Sequence, residues 1–496
     1  MNTLSNIVGR SKQNQKNKTA VIYKGRKLSF GELGDQIERL ATHIQKEFHL
    51  GKGDRVGILL KNCPEYISGY FATLAAGGIV VPLNTFLTAE ELNYIFKDCQ
   101  ISAVITSAAF LPVIKVLETK FRHQLRVMVI EKLGTEPGQP LAPVVSVPDD
   151  PAVILYTSGT TGYPKGAVLS HRNLLANVES CIQAIELKEK DCFILFLPMF
   201  HAFTFTVCVL LPLYLGAKIV ILDSVMPFHR VLKSLVLDRI TVFVSIPIVY
   251  KLLLRAKIPA FFFFWIMPLR LCVSGGAPLP PEVQAGFEKR FKIPLLEGYG
   301  LSEAAPVVTI NPLSDVRRPG SIGLPLPGVQ VKIVAESGAE AEVNEVGEIT
   351  VKGPNVMAGY YQAPELTEQA LKDGWLYTGD MGRQNQDGFI YIVDRKKDMI
   401  LVHGMNVYPR EVEEVILRHP GVAETAVIGK NDEHHGEIPV AFIVAKKKAE
   451  LNAKEIAHFC RQHLAAYKVP RQIHLVENLP KTATGKISKK ELREKV

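Results

Sequence analysis

The chain has 496 residues, 47% hydrophobic and 22% charged, which exceeds one ordinary domain and matches the balance of a soluble globular protein. Its seven cysteines (Cys63, Cys99, Cys181, Cys192, Cys208, Cys272, Cys460) form no CxxC pair, which argues against a disulfide or zinc framework and for a reducing, cytoplasmic compartment. The net charge of +9 suits phosphorylated small molecules or loose contact with an anionic membrane; no recognition helix, RNA signature or zinc finger accompanies it, so nucleic acid is set aside.

In chain order, the N-terminus MNTLSNIVGRSKQNQKNK is basic and has no apolar core, so it reads as a solvated segment and not as a secretory signal. SFGELGDQIERLATHIQKEF reads as an amphipathic helix with Ser29 as its N-cap. Buried strands are predicted at Val56 to Leu60, Gly77 to Leu83, Ala152 to Tyr156, Lys218 to Leu222, Val242 to Ile246 and Arg270 to Gly275, alternating with helical segments. This alternation predicts an α/β protein: a large N-terminal domain of parallel-rich sheets packed with helices.

From Cys192 to Ala217 about 26 residues carry no Asp, Glu, Lys or Arg, long enough for a membrane span. Pro198, His201 and Pro212 interrupt the run, so a buried strand followed by a buried helix is preferred over a span. The run Ile258 to Pro268 is too short to cross and reads as core or as an apolar surface patch. After about Gly320 the sequence turns strand-rich and glycine-punctuated, a β-rich subdomain. The charged run Asp394 to Asp398 marks a boundary, giving domains 1–396 and 397–496. The last hundred residues hold 17 Lys/Arg against 13 Asp/Glu and read as a small α+β domain.

The strongest local signal is YTSGTTGYPKG, Tyr156 to Gly166, directly after a predicted strand. Gly159 and Gly162 permit a tight turn that offers backbone N–H groups to an anion. Thr157, Ser158, Thr160 and Thr161 add hydroxyls, and Lys165 adds charge. No Gly-Lys-Ser/Thr follows at Walker spacing, so the loop is a phosphate cradle of another type or a structural Gly/Thr turn.

With SGGAPL (Ser274 to Leu279), EGYGLSE (Glu297 to Glu303), YTGD (Tyr377 to Asp380), IVDRKKD and PKTATGK following in order, nearly the whole chain resembles the adenylate-forming superfamily. That superfamily includes acyl- and aryl-CoA synthetases, peptide-synthetase adenylation domains and firefly luciferase. The resemblance implies ATP, Mg²⁺ and coenzyme A as reactants and cofactor, and a small C-terminal domain that is mobile. It places Gly275, Gly276 and Ala277 along the adenine pocket, followed by Glu297, Gly298, Tyr299, Gly300 and Ser302. Tyr299 would stack on adenine, and Glu303 would hold Mg²⁺ together with Thr157. Asp380 would accept from the ribose hydroxyls, Ile392 would lie against adenine, and Arg395 would reach the ribose. Lys397 falls at the hinge position, and Lys486 matches the catalytic lysine. Lys165 and Mg²⁺ would offset the β,γ charge while Lys486 bridges the incoming carboxylate and the α-phosphate. Gly404 would let the pantetheine arm of coenzyme A pass after the small domain turns about Lys397.

Within the superfamily, Asp373 to Lys397 and EGYGLSEAAPVVTINP resemble bacterial medium- and long-chain fatty acyl-CoA synthetases. In FHAFTFT, His201 stands where amino-acid-activating relatives place an aspartate. An ammonium buried without a carboxylate partner is costly, so amino acids are disfavoured as substrates. Phe200, His201, Phe203, Ser274 and Ala304 are the candidate acyl-pocket residues, with His201 a gate at its mouth. His403 matches no role, and His434-His435 reads as a surface loop. The competing readings are a fatty acyl-AMP ligase serving a carrier protein, an aryl-CoA ligase, a luciferase-like oxygenase and, from another class, a membrane lipid carrier.

Overall fold

The computed structural model describes residues 3–121, 125–132, 144–157, 164–256, 268–314, 316–403, 405–432, 436–446, 449–481 and 487–496. The chain is mixed α/β and divides into two compact units, Met1–Val331 with Val351–Leu376, and Lys332–Thr350 with Tyr377–Val496. Residues 332–350 and 377–396 thus group with the C-terminal hundred.

The first unit holds two large sheets. One runs Leu324–Pro325, Val307–Ile310, Leu295–Gly300, Leu271–Ser274, Val242–Ser245, Cys192–Leu195, Lys218–Ile221, Thr19–Tyr23, Arg26–Ser29 in spatial order. Its central pairs are parallel, as continuous apolar strands flanked by helices dictate. The other runs Gly359–Tyr360, Lys165–Ser170, Pro151–Thr157, Ile79–Pro82, Arg55–Leu59, Ala103–Thr106, Arg126–Val129. All six strands read from the sequence are present.

The helix Phe30–Phe48 starts where its sequence says it should. Ser29 Oγ accepts from the Glu32 amide at 3.2 Å, and Glu32 Oε2 accepts from the Ser29 amide at 2.7 Å, a complete capping box. The charge-free run is a strand, Cys192–Leu195, followed by the helical pieces Ala202–Phe205, Thr206–Leu210 and Leu211–Leu215, the middle one with π geometry. Among the described residues no helix is long and apolar enough to cross a membrane. All seven cysteines are buried and unbridged. The run at 258–267 lies outside the described residues.

The N-terminus corrects the sequence reading. Asn6–Asn14 is a helix, not a solvated segment, and Leu4, Ile7 and Val8 are buried. The helix packs on Phe30–Phe48 and Leu211–Leu215, and Lys12 pairs with Asp35 at 2.8 Å and Glu38 at 2.7 Å. Leu4, Ile7, Val8 and Ser11 recur at 3, 4 and 7 residues, so one narrow stripe goes inward while the basic residues stay out. The Leu4 amide donates to His171 Nδ1 at 3.2 Å.

In the second unit, the strands Trp375–Gln384 and Ile390–Arg395 pair antiparallel from Asp380↔Arg395 to Gln384↔Ile390. A second sheet runs Met405–Val407, Ile400–Val402, Gly436–Ala445, Val422–Asp432, with Gln472–Leu475 added parallel to Gly436–Ala445. The helices Pro409–Leu417 and Ala453–His463 accompany it, and Val412, Ile416, Ile456 and Cys460 share its apolar cluster.

Candidate active site

In the first unit the motif YTSGTTGYPKG begins and ends on two paired strands, with Thr157 opposite Lys165 in the register. Ser158, Gly159, Thr160, Thr161 and Gly162 lie outside the described residues. Thr157 Oγ1 donates to Glu303 Oε1 at 3.3 Å, joining two motifs 146 residues apart. Glu303 sits in a one-turn 3₁₀ helix, Ser302–Ala304, just after the strand Leu295–Gly300. That turn is strapped from behind: Met357 donates its amide to the Glu303 carbonyl at 2.9 Å, and Asn355 Nδ2 donates to the Ala304 carbonyl at 2.9 Å.

A residue absent from the sequence reading completes the group. Tyr360 Oη donates to Glu303 Oε1 at 3.1 Å, and Lys165 Nζ lies 5.1 Å from the centre of the Tyr360 ring. Burial, reinforced by the Glu303 carboxylate, pushes the Tyr360 phenol well above its ordinary range, so the hydroxyl is a donor. In sequence, Tyr360 is only the first of two tyrosines after a glycine, with no motif chemistry to single it out.

A hydroxyl and a carboxylate oxygen 3.3 Å apart form the hard oxygen donor set that suits Mg²⁺. Among the described residues no cluster of three His, Cys, Asp or Glu could hold an ion alone, so a cation here would share its shell with phosphate or water. The residues present fit the ion.

The motifs SGGAPL and EGYGLSE lie at strand ends of the nine-stranded sheet. Ser274 ends Leu271–Ser274, and Gly275 donates its amide to the Ser245 carbonyl at 3.1 Å. A Cβ on Gly275 would stand 2.8 Å from the Phe203 ring, so backbone and ring touch. Gly276 has φ +75° and is exposed, as is Ala277. Glu297 is buried and accepts from the Leu279 amide at 2.9 Å, tying the second motif to the end of SGGAPL. Gly298 and Tyr299 pair with Ile310 and Thr309. Gly300 is dictated by sterics: a Cβ there would lie 2.1 Å from the Pro306 carbonyl oxygen.

Of the candidate acyl residues, Phe203 meets Gly275, while Phe200 packs edge-on against Phe86 with centroids 6.1 Å apart. His201 precedes the helix Ala202–Phe205, its carbonyl accepting from the Phe205 amide at 3.0 Å. Ser274 and Ala304 are fully buried.

In the second unit, Asp380 is buried and its Oδ1 meets Arg395 Nε at 3.1 Å across the hairpin. Ile392 sits opposite Gly382 on the same ladder. Glu348 accepts from the Gly379 amide at 3.0 Å and from Lys396 Nζ at 2.8 Å, holding the YTGD turn to the charged run. Lys397 lies in the short turn Lys396–Asp398; desolvation and then Arg395 lower its ammonium pKa. The turn is fixed on both sides, by the Arg410 amide on Asp394 Oδ2 at 2.6 Å and by Arg493 on Asp398 at 2.6 Å. His403 has φ 50° between the paired strands Ile400–Val402 and Met405–Val407, so its place is a turn position. Gly404, His434, His435 and Lys486 lie outside the described residues. Beside Lys486 the chain is drawn together: Lys481 and Ile487 form an antiparallel bridge, and Ser488 donates its amide to the Pro480 carbonyl at 2.8 Å.

Two family models match the chain. Residues 8–361 match the AMP-binding enzyme family, and residues 411–486 match the AMP-binding enzyme C-terminal domain. A long-chain-fatty-acid–CoA ligase of Bacillus subtilis (strain 168) is 38% identical over 99% of this chain and 94% of its own length. A feruloyl-CoA synthase of an Amycolatopsis species is 35% identical over 96% of this chain and 95% of its own length. Among solved structures, ATP-bound MatB from Rhodopseudomonas palustris superposes with a TM-score of 0.92 at 32% identity, covering 100% of this chain and 99% of that one. The chain therefore belongs to the AMP-binding enzyme family, as an AMP-forming ligase that joins an acid to a thiol.

Proposed function

We propose that the protein is a fatty acyl-CoA synthetase acting on medium- or long-chain acids. A carboxylate and ATP give acyl-AMP and pyrophosphate, and coenzyme A then takes the acyl group and releases AMP. The observation that carries this reading is the Thr157–Glu303–Tyr360–Lys165 group at the foot of the phosphate loop, which brings a carboxylate and a hydroxyl for a cation beside an ammonium for an anion. Such a site suits a reaction whose nucleophile is the substrate carboxylate. The kinship to the B. subtilis fatty-acid ligase supports an aliphatic acid, and the Phe203 ring packed on Gly275 supports an apolar wall.

The chain's residues would divide the work as follows. Thr157 and Glu303 would hold Mg²⁺, which supplies charge neutralisation at the phosphates when bound. Lys165 would bind the β,γ-phosphates, and the amides and hydroxyls of Ser158 to Gly162 would orient them. Gly275, Gly276, Ala277, Glu297 to Gly300 and Ser302 would border the adenine, with Ile392 against it. Asp380 and Arg395 would take the ribose. Lys486 would bring the acid carboxylate onto the α-phosphate, and removing such a contact costs roughly 3–4 kcal/mol of transition-state stabilisation. In the second half-reaction the thiol sulfur attacks the acyl carbon and AMP departs. Lys397 is the proposed hinge between the half-reactions, with 397–496 as the moving domain, and Gly404 is the proposed passage for pantetheine. A cytoplasmic location with loose contact to anionic lipid is part of the same proposal, supported by the net charge of +9 and the free cysteines. The feruloyl-CoA synthase relative favours aryl acids as the second reading.

The test is pyrophosphate release with ATP, Mg²⁺ and acids from C6 to C18, benzoate and cinnamate, each with and without coenzyme A. CoA-dependent turnover peaking on an aliphatic length is expected. A peak on cinnamate would select the aryl reading, and one stoichiometric burst that coenzyme A does not turn over would select a carrier-protein ligase.

A further inference from the structure

Tyr360 ends the short strand Gly359–Tyr360, Tyr361 follows it in a turn, and the two side chains enter different environments. Tyr361 packs against the apolar cluster of the seven-stranded sheet, while Tyr360 meets Lys165 and Glu303. The backbone leaves Tyr360 little choice. It pairs with Ala167, its amide donates to Thr367 Oγ1 at 2.9 Å, and the Tyr361 amide donates to the Gly166 carbonyl at 2.7 Å. Tyr360 thus lies on the strand beside the one that begins with Lys165, and its hydroxyl reaches the turn that carries Glu303.

The hydrogen bonds from Thr157 and Tyr360 both end on Glu303 Oε1, at 3.3 and 3.1 Å, and Oε2 takes part in neither. A glutamate side chain has three torsions to order; two donors on one oxygen fix the plane of the carboxylate and turn the other oxygen away from them. The Lys165 ammonium is a separate flexible group, and the ring face 5.1 Å away gives it a resting place without neutralising it. A carboxylate pairing directly with this lysine would weaken both as ligands for cation and phosphate.

We propose that Tyr360 is a positioning residue for the metal–phosphate end of the site: its hydroxyl sets the Glu303 carboxylate for the cation, and its ring carries Lys165. The proposal rests on the ATP-and-Mg²⁺ reading above and adds a residue to it. The organisation exists before substrate arrives, which lowers the cost of ordering these groups at binding.

Tyr360→Phe separates the two roles, because it keeps the ring and removes only the hydroxyl. Mn²⁺ binding to the protein–ATP complex, read by electron paramagnetic resonance without any acid, is expected to weaken about ten- to a hundredfold, the usual loss for a hydrogen bond to a charged group. The apparent KM for Mg²⁺ should rise in parallel while kcat at saturating Mg²⁺ stays within a few-fold. Tyr360→Leu should in addition weaken ATP binding in EDTA, where only Lys165 is in question. Combining Tyr360→Phe with Glu303→Gln should cost less than the product of the single losses, because both act through one carboxylate. Mn²⁺ affinity within twofold of wild type, multiplicative losses, or a Tyr360→Phe protein that melts far below wild type would each overturn the proposal. A wild type that binds Mn²⁺ with ATP yet releases no pyrophosphate with any acid would sink the function while leaving this inference standing.

Discussion

His171 gives the sharpest physical prediction. It opens the helix His171–Ala184, is almost fully buried, and accepts the Leu4 amide on Nδ1 at 3.2 Å. Desolvation lowers its pKa from 6.5 to about 4, with Asp150 opposing and Lys52 assisting. The folded chain therefore holds the ring neutral where the unfolded chain would charge it. The contribution is complete above the unfolded value and lost as pH falls through 6.5 towards 4. A shift of this size corresponds to about 3 kcal/mol, of which roughly 2 should disappear between pH 7 and 4.5. His171→Asn presents an acceptor in the position of Nδ1 and cannot be protonated. Its free energy of urea unfolding at pH 7 should be lower than wild type, from lost packing, and should fall less by about 2 kcal/mol on acidification to pH 4.5. Carboxylates other than Asp150, which is coupled to His171, titrate alike in both proteins, so the difference reads His171 together with that partner. Parallel pH profiles would refute the reasoning and remove His171 as the anchor of the N-terminal helix.

Two further outcomes follow from the site. Gly300→Ala should destabilise by about 2–3 kcal/mol and abolish ATP binding, because its Cβ would meet a backbone oxygen at 2.1 Å with nothing flexible to yield; an unchanged unfolding midpoint would contradict this. Lys486→Ala should slow adenylate formation about a hundred- to a thousandfold and largely spare thioester formation from supplied acyl-AMP. Equal loss of both half-reactions would contradict the use of this lysine in the first alone.

The parts of the fold that were legible are those whose signal is local. The six strands stand out because strands buried on both faces read as unbroken apolar runs. The charge-free run at Cys192 was separable from a span because Pro198 and Pro212 break it where the structure changes element. Ser29 was readable as a cap because its partner Glu32 is three residues away. The N-terminal helix was misread for the opposite reason. Its stripe of Leu4, Ile7 and Val8 is short, its sequence mostly polar, and the surfaces that bury it come from Phe30–Phe48 and Leu211–Leu215. Tyr360 escaped likewise: a tyrosine acquires a role only through distances to Lys165 and Glu303, and nothing in its neighbours encodes them. The contacts that bracket Lys397, from Arg410 to Asp394 and from Arg493 to Asp398, also join residues apart in sequence and are invisible until the chain is folded.

The central claim is that the acid is activated on the α-phosphate before it meets a thiol. It is tested most directly by supplying a fatty acid labelled with ¹⁸O in its carboxylate, together with ATP, Mg²⁺ and coenzyme A, and weighing the products. Attack of the carboxylate on the α-phosphorus, then departure of AMP as the thiol attacks, predicts one ¹⁸O in AMP and none in pyrophosphate. Release of ADP, or label in inorganic phosphate with none in AMP, would show activation on the γ-phosphate and contradict the account.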